Sequence, residues 1–393
     1  MSRIIDIAKE ISSGLTPLRS NLEYWTNGTI PWLKTEQIGE YRIKTTNEFV
    51  TQKALDKTGL KLYPQNTISI AMYGEGKTRG NVSILDCPMT TNQACCNIIP
   101  NEDIVEPFYL YYFFKTQYNN LRQLSSGVRK NLNSNDIKNY KINLPNKKIQ
   151  KNIANFLCNI DEKIELNNKI NFELENLAKT LYDYWFVQFD FPDEFGRPYK
   201  SSGGKMIYNE KLKQFIPLNW DSCTLNELCD MYQPQTLSED NLIDDGEFFV
   251  YGANGIIGKY NQYNHSESEI AVACRGNSCG TINRTLPKSW ITGNAMVVKL
   301  KNIEIHNEYL YHALGFTNIK GIITGSGQPQ ITRANLLPVK ILNPDKNIIL
   351  KYCSIIEKNV NYRLKNLIEN QQLIKLRDFL LPMLMNGQVI IQQ

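Results

Sequence analysis

The strongest constraint on this chain is that it contains itself. "ISIAMYGEGKTRGNV", starting at Ile68, lies over "SEIAVACRGNSCGTI", starting at Ser268. At that offset Ile70-Ala71 matches Ile270-Ala271, Gly76 matches Gly276, and Gly80 matches Gly280. Further on, Tyr109-Leu110 falls on Tyr309-Leu310 and Ser126-Gly127 on Ser326-Gly327. With one residue removed the register continues, so that Lys141-Ile142 meets Lys340-Ile341, Pro145 meets Pro344 and Leu174 meets Leu373. Glycines, a strand, a proline and a helix recurring in one order mark two copies of one folding unit. A solution that suits one copy must therefore suit the other.

The repeat settles how to read "AMYGEGKTRG". An apolar run followed by a glycine-rich turn and Lys-Thr is how a phosphate-binding P-loop begins. Here Ala71 stands where the first glycine is needed, and the second copy reads Gly276-Asn277-Ser278 with no lysine. What both copies keep is the hairpin glycines. Glu75, Lys77, Thr78 and Arg79 stand at one tip, and Arg275, Asn277, Ser278 and Cys279 at the other. A constant frame with a variable polar tip suits two readers of different targets, not ATP binding.

Each copy has two parts. Short β-like runs such as "NTISIAM", "EFFVYG" and "AMVVKL" alternate with Gly, Asn and Pro turns and precede a helical stretch, which predicts an α+β module. A long helix follows, expected from about Lys147 to Phe189 and from about Lys346 to Leu381, with Pro382 and Gly387 closing the second. In the first, Ile153, Leu157, Ile160, Ile164, Asn167, Asn171, Leu174, Leu181 and Trp185 form a heptad seam. In the second, Ile356, Val360, Leu367 and Ile374 belong to a less regular one. The two helices are expected to pack on each other as an antiparallel coiled coil, with the modules at opposite ends and a pseudo-twofold axis. The polar steps Asn167 and Asn171 recur as Asn366 and Asn370 and would fix the register. The alternative is that each helix folds back on its own module. The expected bounds are 1–145 for the first module, 146–190 for the first helix, 191–345 for the second module and 346–393 for the last helix.

Charge points to a partner. Between Lys115 and Lys151 nine basic residues stand against one acid, Asp136, a net of +8, interleaved with Asn, Gln, Ser and Tyr. Such groups bond phosphates and base edges, although a charge run is also what a solvated face looks like. Catalytic signatures are missing. The three histidines, His265, His306 and His312, have no metal-ligand spacing, there is no G-x-S-x-G, and Pro192-Asp193 lacks the acid-x-lysine that would complete a nuclease motif. The odd, scattered nine cysteines contain no CxxC and suit reduced thiols in the cytoplasm. No apolar run reaches the roughly 20 residues of a membrane span, and the first residues lack a signal-peptide core. Two modules without a duplicated catalytic group suit a binder better than an enzyme.

These features together resemble the specificity subunit of type I restriction–modification systems, along essentially the whole chain. The resemblance is carried by "LPNKKIQKNIANFLCNIDEKIELNNKINFELENLAKTLYDYWFVQFDF", "FGRPYKSSGGKMIYNEKLKQFIPLNW", "FFVYGANGIIGKYN", "GSGQPQITRANLLPVKI" and "LRDFLLPMLMNGQV", in that order. It implies a non-catalytic, DNA-binding subunit. Each module would be a target-recognition domain reading half of a split, asymmetric site on double-stranded DNA, and the helices would set the unread gap. The helices would also dock two methyltransferase subunits and, through them, the restriction subunits. S-adenosylmethionine, ATP and Mg²⁺ would sit on those partners, with none in this chain. The family's N-terminal conserved helix is expected to be absent or very short, because little precedes the first module.

On this reading the DNA-facing residues are those of the two hairpin tips and of the two loops before the long helices. In the first module they are Lys77, Thr78, Arg79, Arg129, Lys130, Asn131 and Asn133. In the second they are Arg275, Asn277, Ser278, Arg284, Gln328, Gln330, Thr332 and Arg333. Arginine pairs with guanine, and Asn or Gln with adenine, by two hydrogen bonds. Gly127 and Gly327 are expected at positive φ in their loops. The rival reading of those loops is a polar turn that only caps a helix. The rival reading of the whole chain is a scaffolding rod with two protein-binding heads.

Overall fold

The structure is a computed structural model, and it describes residues 1–74, 78–124, 131–253, 255–301, 306–325 and 327–391. Its contacts divide the chain into two units, Met1–Asn167 with Glu369–Gln393, and Asn168–Ile368. The division falls inside both long helices, so each unit holds one module and a part of each helix.

The first unit is built on a five-stranded sheet. Its order is Ala8–Ser13, Cys95–Pro100, Ile68–Ala71, Val82–Leu85 and Arg42–Ile43, antiparallel except at the last pair. Every residue of Ile68–Ala71 and Val82–Leu85 is buried, which explains why these strands read as continuous apolar runs. A three-stranded sheet adds Glu48–Val50, Ile30–Leu33 and Thr90–Thr91. The helix Pro107–Thr116 begins with proline in its first turn, where no N–H is needed. Its Tyr109, Leu110, Tyr112 and Phe114 join Ile68, Ile70, Val82, Ile84 and Ile98 in the core.

The second unit repeats this plan. Cys229–Tyr232, Ala295–Leu300, Ile270–Ala273 and Ile282–Arg284 form the sheet in the same order. Phe248–Gly252 pairs in parallel with Trp290–Ile291, as Ile30–Leu33 does with Thr90–Thr91. The helix Asn307–Phe316 takes the place of Pro107–Thr116. The hairpin tips close alike: Gly80 and Gly280 sit at φ 88° and 86°, and each donates its N–H at 2.9 Å, to the carbonyl of Ala71 and of Ala273. A strand follows each tip, whereas a P-loop runs into a helix.

The first long helix spans Lys147–Tyr182 and the second Lys346–Met385. At 1.5 Å per residue they are about 54 and 60 Å long. Their starts are capped equivalently, with Asn146 Oδ1 accepting from the Ile149 N–H at 2.9 Å and Asp345 Oδ1 from the Asn347 N–H at 2.8 Å. The first helix ends in a π-type turn at Asp183–Val187. The second runs through Pro382, expected to end it, and stops at Gly387, whose φ of 71° is the left-handed cap. Among the described residues no helix is long and apolar enough to cross a membrane.

Within each unit the two helices run antiparallel. In the first, Asn167 Nδ2 donates to Asn370 Oδ1 at 2.8 Å and to Glu369 Oε2 at 2.7 Å, and Arg377 Nη1 meets Asp161 Oδ1 at 2.5 Å. In the second, Asn366 Nδ2 donates to Asn171 Oδ1 at 2.9 Å and Arg363 pairs with Glu175. The asparagine step thus becomes two matched polar layers. Of the expected seam, Ile153, Leu157, Ile160, Asn167 and Ile356 are buried, while Ile164, Asn171, Leu174, Leu181, Val360 and Leu367 are half-buried. Ile374 is a correction. It is 38% exposed, and the inward positions beside it are Asn370, Leu373 and Arg377. The helix ends also bury in the modules: Ile153, Leu157, Leu381 and Leu384 share the first unit's core.

Candidate nucleic-acid interface

In the second module the expected residues converge. The strand Ile270–Ala273 runs out at Cys274 and Arg275, where Gly276 turns the chain at φ 79°. A second segment, 327–332, is zipped alongside. The Ile331 N–H donates to the Cys274 carbonyl at 2.9 Å and the Gly276 N–H to that of Pro329 at 3.1 Å. Thr324 and Gln330 exchange backbone hydrogen bonds at 2.9 and 2.8 Å around a turn. The positive φ in this turn belongs to Gly325, at 90°, and not to Gly327 as expected. A backbone bridge places Arg275 directly across from Gln330. Side chains at such paired positions share one face of the ladder.

Together these segments frame a cleft of about 340 Å³. Met231, Cys274, Met296 and Ile331 make an apolar floor, and Tyr232, Gln233, Arg275, Gln330, Thr332 and Arg333 make a polar rim. None of these lining residues is acidic, and both charged ones are arginines. Arg275, Gln330 and Arg333 are exposed, as are Asn277 and Gln328 nearby. An apolar floor with planar amide and guanidinium groups around it is suited to the edge of a base. Tyr232 and Gln233 were not expected from the sequence. Their place comes from the register of Cys229–Tyr232 against Val297–Leu300, a pairing between segments about 65 residues apart.

Other expected residues are already engaged. Thr332 caps the short helix Arg333–Leu336, accepting from the Asn335 N–H at 3.3 Å and donating its hydroxyl to Asn335 Oδ1 at 2.7 Å. Asn133 does the same work for Ser134–Lys138, with Asp136 completing the capping box. The capping alternative therefore holds for these two side chains. Ser278 supplies its carbonyl to the Thr281 N–H at 2.9 Å. Arg284 is a correction. It forms an ion pair with Glu308 of the helix Asn307–Phe316, and its Nε donates to Ser268 Oγ at 3.2 Å. Burial, with the neighbouring Arg363 charge, holds its guanidinium down to about 10. This arginine ties the hairpin to the helix behind it, and its side chain is only 21% exposed.

In the first module Lys77, Arg129, Lys130 and Gly127 lie outside the described residues. Of the neighbours, Thr78 is half-buried and its carbonyl accepts from the Asn81 N–H at 3.1 Å. The Arg79 carbonyl accepts from Arg122 Nη1 at 3.1 Å, and the Arg122 guanidinium lies 5.3 Å from the Tyr118 ring centre. Asn131 is half-buried, and the next residue, Leu132, donates its N–H to the Met72 carbonyl at 3.2 Å. Leu132 in the first module and Ile331 in the second thus dock at the end of the central strand.

Several cysteines belong to the cores. Burial pushes the Cys95, Cys96 and Cys353 thiols up to about 12, which keeps them protonated. Among the described residues no group of three or more His, Cys, Asp and Glu is placed to hold a metal ion.

Both the sequence and the fold have known relatives. The sequence matches the family described as the type I restriction modification DNA specificity domain over residues 1–176 and 217–376. It is 25% identical over 423 residues to the type I restriction enzyme MjaIX specificity subunit of Methanocaldococcus jannaschii, covering 100% of this chain and 94% of that protein. It is 23% identical over 357 residues to the type I restriction enzyme EcoprrI specificity subunit of Escherichia coli, covering 88% and 84%. The solved S subunit of a type I restriction–modification system from M. genitalium shares the fold, with a TM-score of 0.58 at 19% identity, over 100% of this chain and 96% of that one.

Proposed function

Since the chain belongs to the family of type I restriction–modification DNA specificity subunits, we propose that its two modules each read one half of a split, asymmetric site on double-stranded DNA. The observation that carries this reading is the cleft of the second module. There Arg275 and Gln330 are bridged side by side, with Gln233 and Arg333 on the same rim and no acid among the lining residues. Arginine recognises guanine O6 and N7, and glutamine recognises adenine N6 and N7, each pair worth about 1–3 kcal/mol of discrimination. The half-sites differ because the tips differ in sequence: the first module has Lys77 where the second has the exposed Asn277.

The subunit is the non-catalytic member of its enzyme. It docks methyltransferase subunits, and through them restriction subunits, along the long helices. S-adenosylmethionine, ATP and Mg²⁺ belong to those partners, and the assembly works in the cytoplasm. The helices set the gap between half-sites, because two half-sites on one face of B-DNA lie about 34 Å apart or a multiple of it.

The test is to co-express the chain with its methyltransferase and sequence the methylated sites. Arg275→Ala is expected to relax one half of a gapped site and leave the other half unchanged. Relaxation of both halves, or of neither, would remove the second-module cleft from the reading surface.

A further inference from the structure

The internal repeat raises a question of partner choice. Two copies of one helix could pair with each other as well as with their repeat, since the asparagine layers are self-complementary. Asn167–Asn370 and Asn171–Asn366 are mates under the repeat, because residue n of the first helix corresponds to n + 199 of the second. A copy of the first helix laid antiparallel on itself in the same register would reproduce both layers, with Asn167 facing Asn171.

The ion pairs break this equality. Asp161 meets Arg377, and Glu175 meets Arg363. Their repeat mates are uncharged: Ala178 with Val360, and Ile164 with Ile374. The acid thus comes from the first helix and the base from the second in both units, where a symmetric arrangement would have exchanged them once. These groups are not on open surface, for the side chains of Asp161 and Glu175 are only 5% and 12% exposed. Each carboxylate also accepts from a tyrosine of its module's helix, Tyr112 at 2.6 Å and Tyr311 at 3.2 Å. In a pairing of like first helices Asp161 would face Ala178 and Glu175 would face Ile164. In a pairing of like second helices Arg377 would face Val360 and Arg363 would face Ile374. Glu175 would keep Lys179 at 3.6 Å and Arg377 would keep Asp378 at 2.8 Å, each on its own helix, but every interhelical partner would be lost. A buried charge stripped of its facing partner is unfavourable, whereas exchanging a whole buried pair for apolar groups is often neutral. The exposed pair Lys163–Glu369 has the opposite polarity, but its side chains are 45% and 44% exposed and contribute little to the choice.

We propose that these two ion pairs are a partner-selection code. The first long helix accepts a second long helix and rejects another first, so that the chain always joins its two different modules and two copies cannot assemble through like helices. The asparagine layers set the register, and the ion pairs set the identity of the partner.

The test uses the full chain in two differently tagged copies, expressed together. Asp161→Val, Glu175→Ile, Arg363→Ile and Arg377→Ala, combined, give each helix the residues of its repeat mate and erase the code. Copurification of the two tags is expected to rise at least about tenfold over wild type, the scale set by losing the penalty of an unpaired buried charge. Copurification equal to wild type would overturn the proposal. A second arm covers the case in which that variant does not fold. A Glu175→Arg chain and an Arg363→Glu chain are expected to copurify with each other roughly tenfold better than either does with its own kind. Equal recovery in the three combinations would overturn it as well.

Discussion

Two arginines nine residues apart in one hairpin, Arg275 and Arg284, should fail in opposite ways when removed. Arg284→Ala leaves Glu308 without its ion partner at a position where the glutamate side chain is 10% exposed. Removing one member of a buried pair costs about 3–5 kcal/mol. For a unit of this size each kcal/mol moves the melting temperature by roughly 2–4 °C, so the second unit should melt roughly 6–20 °C lower. Arg284→Met with Glu308→Leu, which removes both charges, should recover most of that loss. Arg275→Ala, at an exposed position, should shift stability by no more than about 0.5 kcal/mol. The assay is thermal unfolding of each full chain, followed by methylated-site sequencing of each assembled enzyme below its melting range. Arg284→Ala should keep the native site and Arg275→Ala should relax half of it. An Arg284→Ala chain that melts like wild type but methylates a relaxed site would refute the reasoning, because it would make Arg284 a reader after all.

The polar layer can be probed by Asn171→Leu, which strands the Asn366 amide and should cost about 1–3 kcal/mol in denaturant unfolding, while Asn171→Leu with Asn366→Leu should recover most of it. Burial holds the His312 imidazole down to about 4 from the ordinary histidine value of 6.5. The unfolded chain therefore takes up this proton first, so the contribution is intact above pH 6.5 and is lost as the pH falls towards 4. The second unit should lose up to about 3 kcal/mol across that window, and His312→Phe should flatten the loss in pH-dependent unfolding. Removing one heptad from the first helix within 162–181, with its facing heptad in the second, shortens the pair by about 10 Å. Site sequencing should then return the same half-sites at a changed gap, or no methylation.

Much of the fold was legible because its constraints are local and repeated. The hairpin glycines, the buried runs Ile68–Ala71 and Ile270–Ala273, and the first helix's heptads all show in the letters, and all recur. Even the capping role of Asn133 was open to reading, since Asn-x-x-Asp is a capping-box pattern. What was missed depends on contacts between distant segments. Arg284 looked like a tip residue until the helix 24 positions on supplied Glu308. Tyr232 and Gln233 enter the cleft through a strand pairing that no local pattern announces. Ile374 misled because Leu373, beside it, is equally aliphatic, and only the facing helix decides which turns inward.

The central claim is that this chain chooses the DNA sequence, one half-site per module. Its most direct test is to sequence all methylated positions in cells that carry the methyltransferase with and without this chain. The account expects a single gapped site with two unlike halves, present only when the chain is expressed. Methylation at the same sites without the chain, or at an ungapped or palindromic site with it, would contradict the account.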